Sequence, residues 1–215
     1  RGEGGVLRTS GGDLPYNDFE SFVLVRGNPV LDERRYREPL HALGEGLSPD
    51  AGLDVEFKVL TRERLRQSPT TMFYYDLVMG HRFLLGDDTV LAGCDHPRDA
   101  TRIPLHEATR LLMNRCSGLL FSLARLRREP FEPEDADFVG RNLAKAQLAF
   151  GDVVLTAAGR YHWSCRERNA RLRTLAAEPA GLLSGPDRWT PGDELIAHHD
   201  AGVRFKLHPH RSTAT

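Results

Sequence analysis

Two carboxylates, Asp18 and Glu20, open an apolar run in the segment Asn17-Asp18-Phe19-Glu20-Ser21-Phe22-Val23-Leu24-Val25. Side chains alternate along a strand, so this pair projects side by side from one face. Two like charges at the end of an apolar run are costly unless a cation sits between them. Mg²⁺ suits that position, because it favours carboxylate oxygens and keeps phosphate and water ligands. The same residues also read as a solvated strand entry, with Asp18 a turn residue after Gly11-Gly12-Asp13-Leu14-Pro15. A second acidic strand tips the balance. In Leu53-Asp54-Val55-Glu56-Phe57-Lys58-Val59-Leu60, strict alternation puts Val55, Phe57 and Val59 on one face and Asp54, Glu56 and Lys58 on the other. If the strands neighbour one another, Asp18, Glu20 and Glu56 converge, the arrangement that holds Mg²⁺ against a nucleoside triphosphate. Glu56 is preferred to Asp54 because apolar residues flank it and Asp54 lies nearer the loop.

The elements that must position these groups follow from pattern and punctuation. Residues 1–17 are polar and Gly-rich and read as a loop delivering the chain into a strand at Phe19–Val25. Gly27-Asn28-Pro29 ends that strand. A helix is expected from Leu31 to about Leu43, then a loop over Ser48-Pro49-Asp50-Ala51-Gly52 and the second strand. Thr61 is placed to cap a short helix through Leu65. The block 70–85 reads as a helix ending near Gly80 and a short strand at Arg82–Leu85. The polar stretch Cys94–Thr101 marks a domain boundary. From Pro104 onward the chain reads as helices: one closing before Pro130, one from about Pro133 to Gly159, and one from Tyr161 to about Leu175. In the second of these, Phe138, Leu143, Ala146, Phe150, Val153 and Val154 are the expected core face. Residues 178–196 read as loop-rich and the tail after His208 as disordered. The fold class is therefore α+β: a small mixed-sheet domain over 1–98, then a helical, bundle-like domain over 99–215.

Composition bounds the function. Apolar residues make up 40% of the 215-residue chain, enough for a sizeable core, and no apolar run approaches a membrane span. A cytoplasmic protein is the expectation. A net charge of -1 argues against a protein that coats nucleic acid nonspecifically. Cys94, Cys116 and Cys165 form neither a disulfide framework nor a zinc pattern and read as buried free thiols. Two cations lie on or near apolar helix stripes, Arg115 and Lys145, and are candidates for contacting triphosphate or acceptor, with structural pairing as the alternative. Tyr161-His162-Trp163 reads as packing at a helix start. His198-His199-Asp200, His208 and His210 read as surface residues.

Asn17-Asp18-Phe19-Glu20, an apolar strand and a third acid on a second strand resemble the nucleotidyltransferase superfamily, with its Gly-Gly or Gly-Ser turn, D-x-[DE] and later Asp or Glu. Tyr75-Asp76-Leu77-Val78-Met79-Gly80 through Leu85-Gly86-Asp87 resembles the helix and turn that follow the catalytic sheet in that superfamily. Ile103-Pro104-Leu105-His106-Glu107, Leu111-Leu112-Met113-Asn114-Arg115 and Phe205-Lys206-Leu207-His208-Pro209 are similar to helical regions attached to bacterial members. The resemblance implies Mg²⁺-dependent transfer of a nucleoside monophosphate from a triphosphate to an acceptor hydroxyl. Asp18 and Glu20 would hold the metal, and Glu56 would complete the site or act as base. The implied partners are a nucleoside triphosphate and an acceptor; nucleic acid enters only as acceptor, a membrane not at all, and homo-oligomerisation stays open. The sequence departs from the pattern at Asn17, where many members have Ser. It departs again at Glu3, which precedes Gly4-Gly5 where an apolar residue is usual; the glycine turn is either Gly4-Gly5 or upstream of Arg1. The alternatives are a non-catalytic, antitoxin-type binding protein of the same descent, and a helical ribonuclease read from the Arg204 to His210 spacing.

Overall fold

The computed structural model describes residue 3, residues 5–178 and residues 192–211. The fold is α+β, and the chain divides into two compact units, Gly5–Asp99 and Ala100 onward, with Glu3 belonging to the second.

The first unit opens on an antiparallel hairpin, β1 (Val6–Thr9) and β2 (Gly12–Pro15), where a loop was expected. Its Ser10-Gly11 turn closes through the Thr9 hydroxyl, which donates to the Gly12 carbonyl at 2.7 Å. The hairpin is mostly exposed, so no apolar alternation announced it. Strand β3 (Asp18–Val25), helix α1 (Leu31–Ala51) and strand β4 (Asp54–Thr61) then form a βαβ unit with the strands in parallel register. Helix α1 runs eight residues past its expected end at Leu43, with Pro39 and Pro49 inside it. Each proline forfeits a single backbone donor, and Ser48 ties the last turn down. Its hydroxyl donates to the Gly44 carbonyl at 2.8 Å and accepts the Val55 amide at 3.0 Å. Gly52, at φ 67°, ends the helix in the left-handed conformation that glycine adopts without penalty.

Thr61 caps α2 (Arg62–Arg66) as expected, accepting from the Arg64 amide, and Thr71 caps α3 (Met72–Gly80) in the same way. Leu60, Leu65, Val78, Leu91 and Cys94 form the core, with Leu24, Tyr74, Leu77 and Val90 packed on it. The strand expected at Arg82–Leu85 is not formed. Those residues pair with no other strand, and Leu84 and Leu85 are exposed. Asp87 then caps a 3-10 turn, Asp88–Leu91.

The second unit comprises α4 (Leu105–Arg125), α5 (Pro133–Ala157), α6 (Cys165–Ala176) and α7 (Gly192–Leu207). Pro104 is the N-cap of α4 rather than its first residue. Helix α5 packs against the other three. Its buried stripe is Ala144, Ala146, Ala149, Gly151, Asp152 and Leu155, whereas Leu143 and Phe150, expected in the core, are exposed. Small residues win that face because they let neighbouring helices approach: a Cβ on Gly202 would meet the Leu148 amide nitrogen at 2.5 Å. Part of α7 falls in the expected loop-rich stretch; of that stretch, residues 179–191 lie outside the described residues. The expected disorder after His208 is also corrected as far as Arg211, whose guanidinium reaches Asp137 at 3.0 Å beside a buried Pro209.

Among the cysteines, Cys94 and Cys165 are buried as expected, but Cys116 is exposed on α4. Burial and the neighbouring Glu3 carboxylate push the Cys165 thiol up to about 11. Brief alkylation of the native protein at pH 8 should therefore label Cys116 alone, since the thiolate is the reactive form. Peptide mass mapping checks this; modification of Cys165 at a comparable rate would contradict the packing at the start of α6.

Candidate functional site

The parallel register sets Asp18 opposite Asp54, Glu20 opposite Glu56 and Phe22 opposite Lys58. One face of the pair thus carries four carboxylates at its N-terminal end and turns apolar through Phe22, Leu24 and Leu60. Phe22 meets the Phe73 ring of α3 at 5.7 Å between centroids, and Leu24 and Leu60 join the core. The acidic half of this face keeps its access to water: Asp18, Asp54 and Glu56 are exposed and Glu20 is half-buried. The other face packs under α1, where Gly44 lies against the Val55 carbonyl and Phe57.

Sequence reasoning placed Lys58 on the acidic face and assigned it no role. In the structure its ammonium stands between the two glutamates, 2.5 Å from Glu20 Oε1 and 3.3 Å from Glu56 Oε2. The hydrogen bond to Glu20 is the main cause that raises the Lys58 pKa; partial burial opposes it and Glu56 adds to it. Glu20 and Glu56 therefore converge on one cation position, as like charges in adjacent register require. Asp18 lies one pleat away, level with Asp54 and outside that contact. Among the described residues no group of three or more His, Cys, Asp or Glu side chains is arranged to hold a metal ion. The donor chemistry at the Lys58 position nevertheless fits Mg²⁺: carboxylate oxygens from two strands, open to water, around a cation position now held by the ammonium of a side chain that is 43% exposed.

The two helix cations belong to the second unit. Arg115 is half-buried on α4, and Lys145 is exposed on α5. Gly4, one half of the expected glycine turn, lies outside the described residues. Glu3 is described: its carboxylate accepts from the Ser164 hydroxyl at 2.7 Å and the Cys165 amide at 2.8 Å, covering the start of α6. Burial works against that charge, yet these bonds hold the Glu3 carboxyl below its usual range.

Sequence reasoning missed the deepest polar cluster. His199, expected at the surface, is fully buried, with Nε2 3.3 Å from Asp152 Oδ1 and Nδ1 3.2 Å from Asn169 Nδ2. Arg168, also buried, approaches Asp152 Oδ1 at 3.1 Å and donates to the Tyr161 hydroxyl. Asn169 continues to Asp200, which Arg173 also binds. The signal was the spacing His199, Gly202, Val203, a buried i, i+3, i+4 stripe with a single aliphatic residue. His162 is half-buried at the α6 entry, where its ring nitrogen lies 3.1 Å from the Ser164 amide. This second cluster is enclosed by helices, a setting for stability rather than chemistry.

Comparison of the chain with protein-family models, with curated proteins and with solved structures finds no match.

Proposed function

We propose that the acidic end of the β3–β4 pair is the centre of a Mg²⁺-dependent nucleotidyltransferase, moving a nucleoside monophosphate from a triphosphate to an acceptor hydroxyl. The observation that carries this reading is the register that brings Glu20 and Glu56 onto one cation, with Asp18 on the same face. Asp18 and Glu20 would hold the metal, whose chemistry there would be to neutralise charge on the triphosphate. Glu56 completes the donor set or takes the proton of the attacking hydroxyl. Lys58, freed from the glutamates, retains an exposed stem and can follow the phosphate charge.

Titration calorimetry with the four nucleoside triphosphates, with and without Mg²⁺, tests the proposal. Wild type should bind at least one of them in a metal-dependent way, and Asp18→Asn/Glu20→Gln should weaken that binding about tenfold or more, since each lost charged ligand removes a strong contact. Unchanged binding by the double variant sinks the assignment. The Lys58 bridge also favours a second reading, a non-catalytic binding protein in which lysine has replaced the metal permanently. Lys58→Gln separates the two. Tighter Mg²⁺ binding by this variant supports the enzyme, and loss of stability with no metal binding supports the replacement.

A further inference from the structure

The opposite end of β3 carries a second charged feature, of opposite sign. A groove at the start of α1 is lined by Pro29, Val30, Glu33, Arg34, Arg37 and Arg64. Three arginines and one glutamate thus line it. That carboxylate is already occupied: Glu33 accepts from the Thr61 amide at 2.9 Å, the Thr61 hydroxyl at 3.1 Å and Arg64 Nε at 2.8 Å. Burial opposes its charge, but these donors hold the Glu33 carboxyl below its usual range. Arg64 is fixed a second time, by the Pro29 carbonyl at 3.0 Å. The Arg34 and Arg37 guanidiniums, one helical turn apart on α1, make no hydrogen bond or ion pair among the described residues. Both are exposed.

We propose that this groove is an anion site for a phosphate group, either free or esterified on a small molecule, separate from the acidic end of the sheet. Planar guanidiniums in a concave setting match the oxygens of a phosphate by paired N–H donors, a fit that a lysine lacks. Arg64 is the preorganised member, since Glu33 and Pro29 fix its orientation before any ligand arrives. Arg34 and Arg37 supply charge that no side chain among the described residues neutralises. The groove lies beyond the carboxyl end of the parallel pair. The Glu20–Glu56 position sits toward the other end of eight-residue β3, roughly 17 Å of strand from Val25. One phosphate therefore cannot bridge the two places.

Calorimetry of the full chain without Mg²⁺ and with a chelator present, using inorganic phosphate and adenosine 5′-monophosphate as probes, tests the site apart from the metal-dependent one. Saturable binding of either probe is expected, weakened about tenfold or more in Arg34→Gln/Arg37→Gln and unchanged in Asp18→Asn/Glu20→Gln. Saturation by both probes assigns the site to the phosphate group itself, and saturation by the nucleotide alone to a phosphate ester. Both arginines are exposed and have no partner side chain among the described residues, so the double variant should keep the wild-type melting curve and a lost fold cannot be mistaken for a lost site. The proposal is overturned if neither probe saturates, if the arginine variant binds as wild type does, or if the carboxylate variant abolishes metal-free binding.

Discussion

Replacing Asp152 by alanine should destabilise the helical unit by about 3–5 kcal/mol, the cost of removing one partner from a buried ion pair. Arg168 is 5% exposed and cannot shed its proton, so the variant takes the Asp152 counter-charge away from a buried cation between α5 and α6. The fully buried His199 loses its Nε2 partner in the same step. Because Gly151 stands against the His199 ring and Leu172, the surrounding helices are too closely packed for much relaxation. Asp152→Asn should cost less, since the amide oxygen preserves an acceptor for Arg168 while losing the charge. Both tryptophans, Trp163 and Trp189, lie in this half of the sequence, so urea unfolding followed by their fluorescence reports on it. An alanine variant within 1 kcal/mol of wild type would mean that the Asp152 carboxylate is not what holds Arg168 and His199 in place.

How far the sequence revealed these arrangements depended on the kind of residue that did the work. Strands β3 and β4 were legible because their buried face is aliphatic and aromatic at period two, a signal that survives without context. Their parallel pairing was not, because register is set by α1 crossing over β4, and Pro49 disguised the true length of α1. The last turn is held by the Ser48 hydroxyl, which no periodicity displays. The acidic face was legible residue by residue, including Lys58. What alternation could not convey was that Lys58, opposite Phe22 in the next row, reaches back to both glutamates.

In the helical unit the legibility was inverted. The large apolar residues that a sequence reading trusts, Leu143 and Phe150, are exposed, while alanines and glycines make the close contacts of α5. Helix α7 was hidden for a related reason. Its buried positions are a histidine, a glycine and a valine, so its burial is paid for by Asp152 and Asn169, far away in sequence. The Arg34, Arg37 and Glu33 positions were visible as a charged helix start. Their division into a neutralised pair with Arg64 and two open guanidiniums was a matter of tertiary contact.

Two glycines on α1, separated by a single residue, should respond to alanine with opposite signs. A Cβ on Gly44 would lie 2.3 Å from the Val55 carbonyl oxygen, a backbone atom that cannot rotate away. Helix and strand must separate, and since Ser48 and Glu33 bind β4 at two further points along α1, the shift strains both. Gly44→Ala should therefore cost about 3 kcal/mol, the upper end for overpacking. Gly46 has open space where its Cβ would stand, so Gly46→Ala should stabilise α1 by about 0.5–1 kcal/mol through helix propensity alone. Native-state hydrogen exchange of the β4 amides from Val55 to Thr61 measures both in the unit concerned. Protection that falls in the first variant and rises in the second fits a glycine required by close approach at one position and tolerated at the other. Equal responses would show that α1 does not rest on β4 at Val55, and the register that joins Glu20 to Glu56 would lose its support.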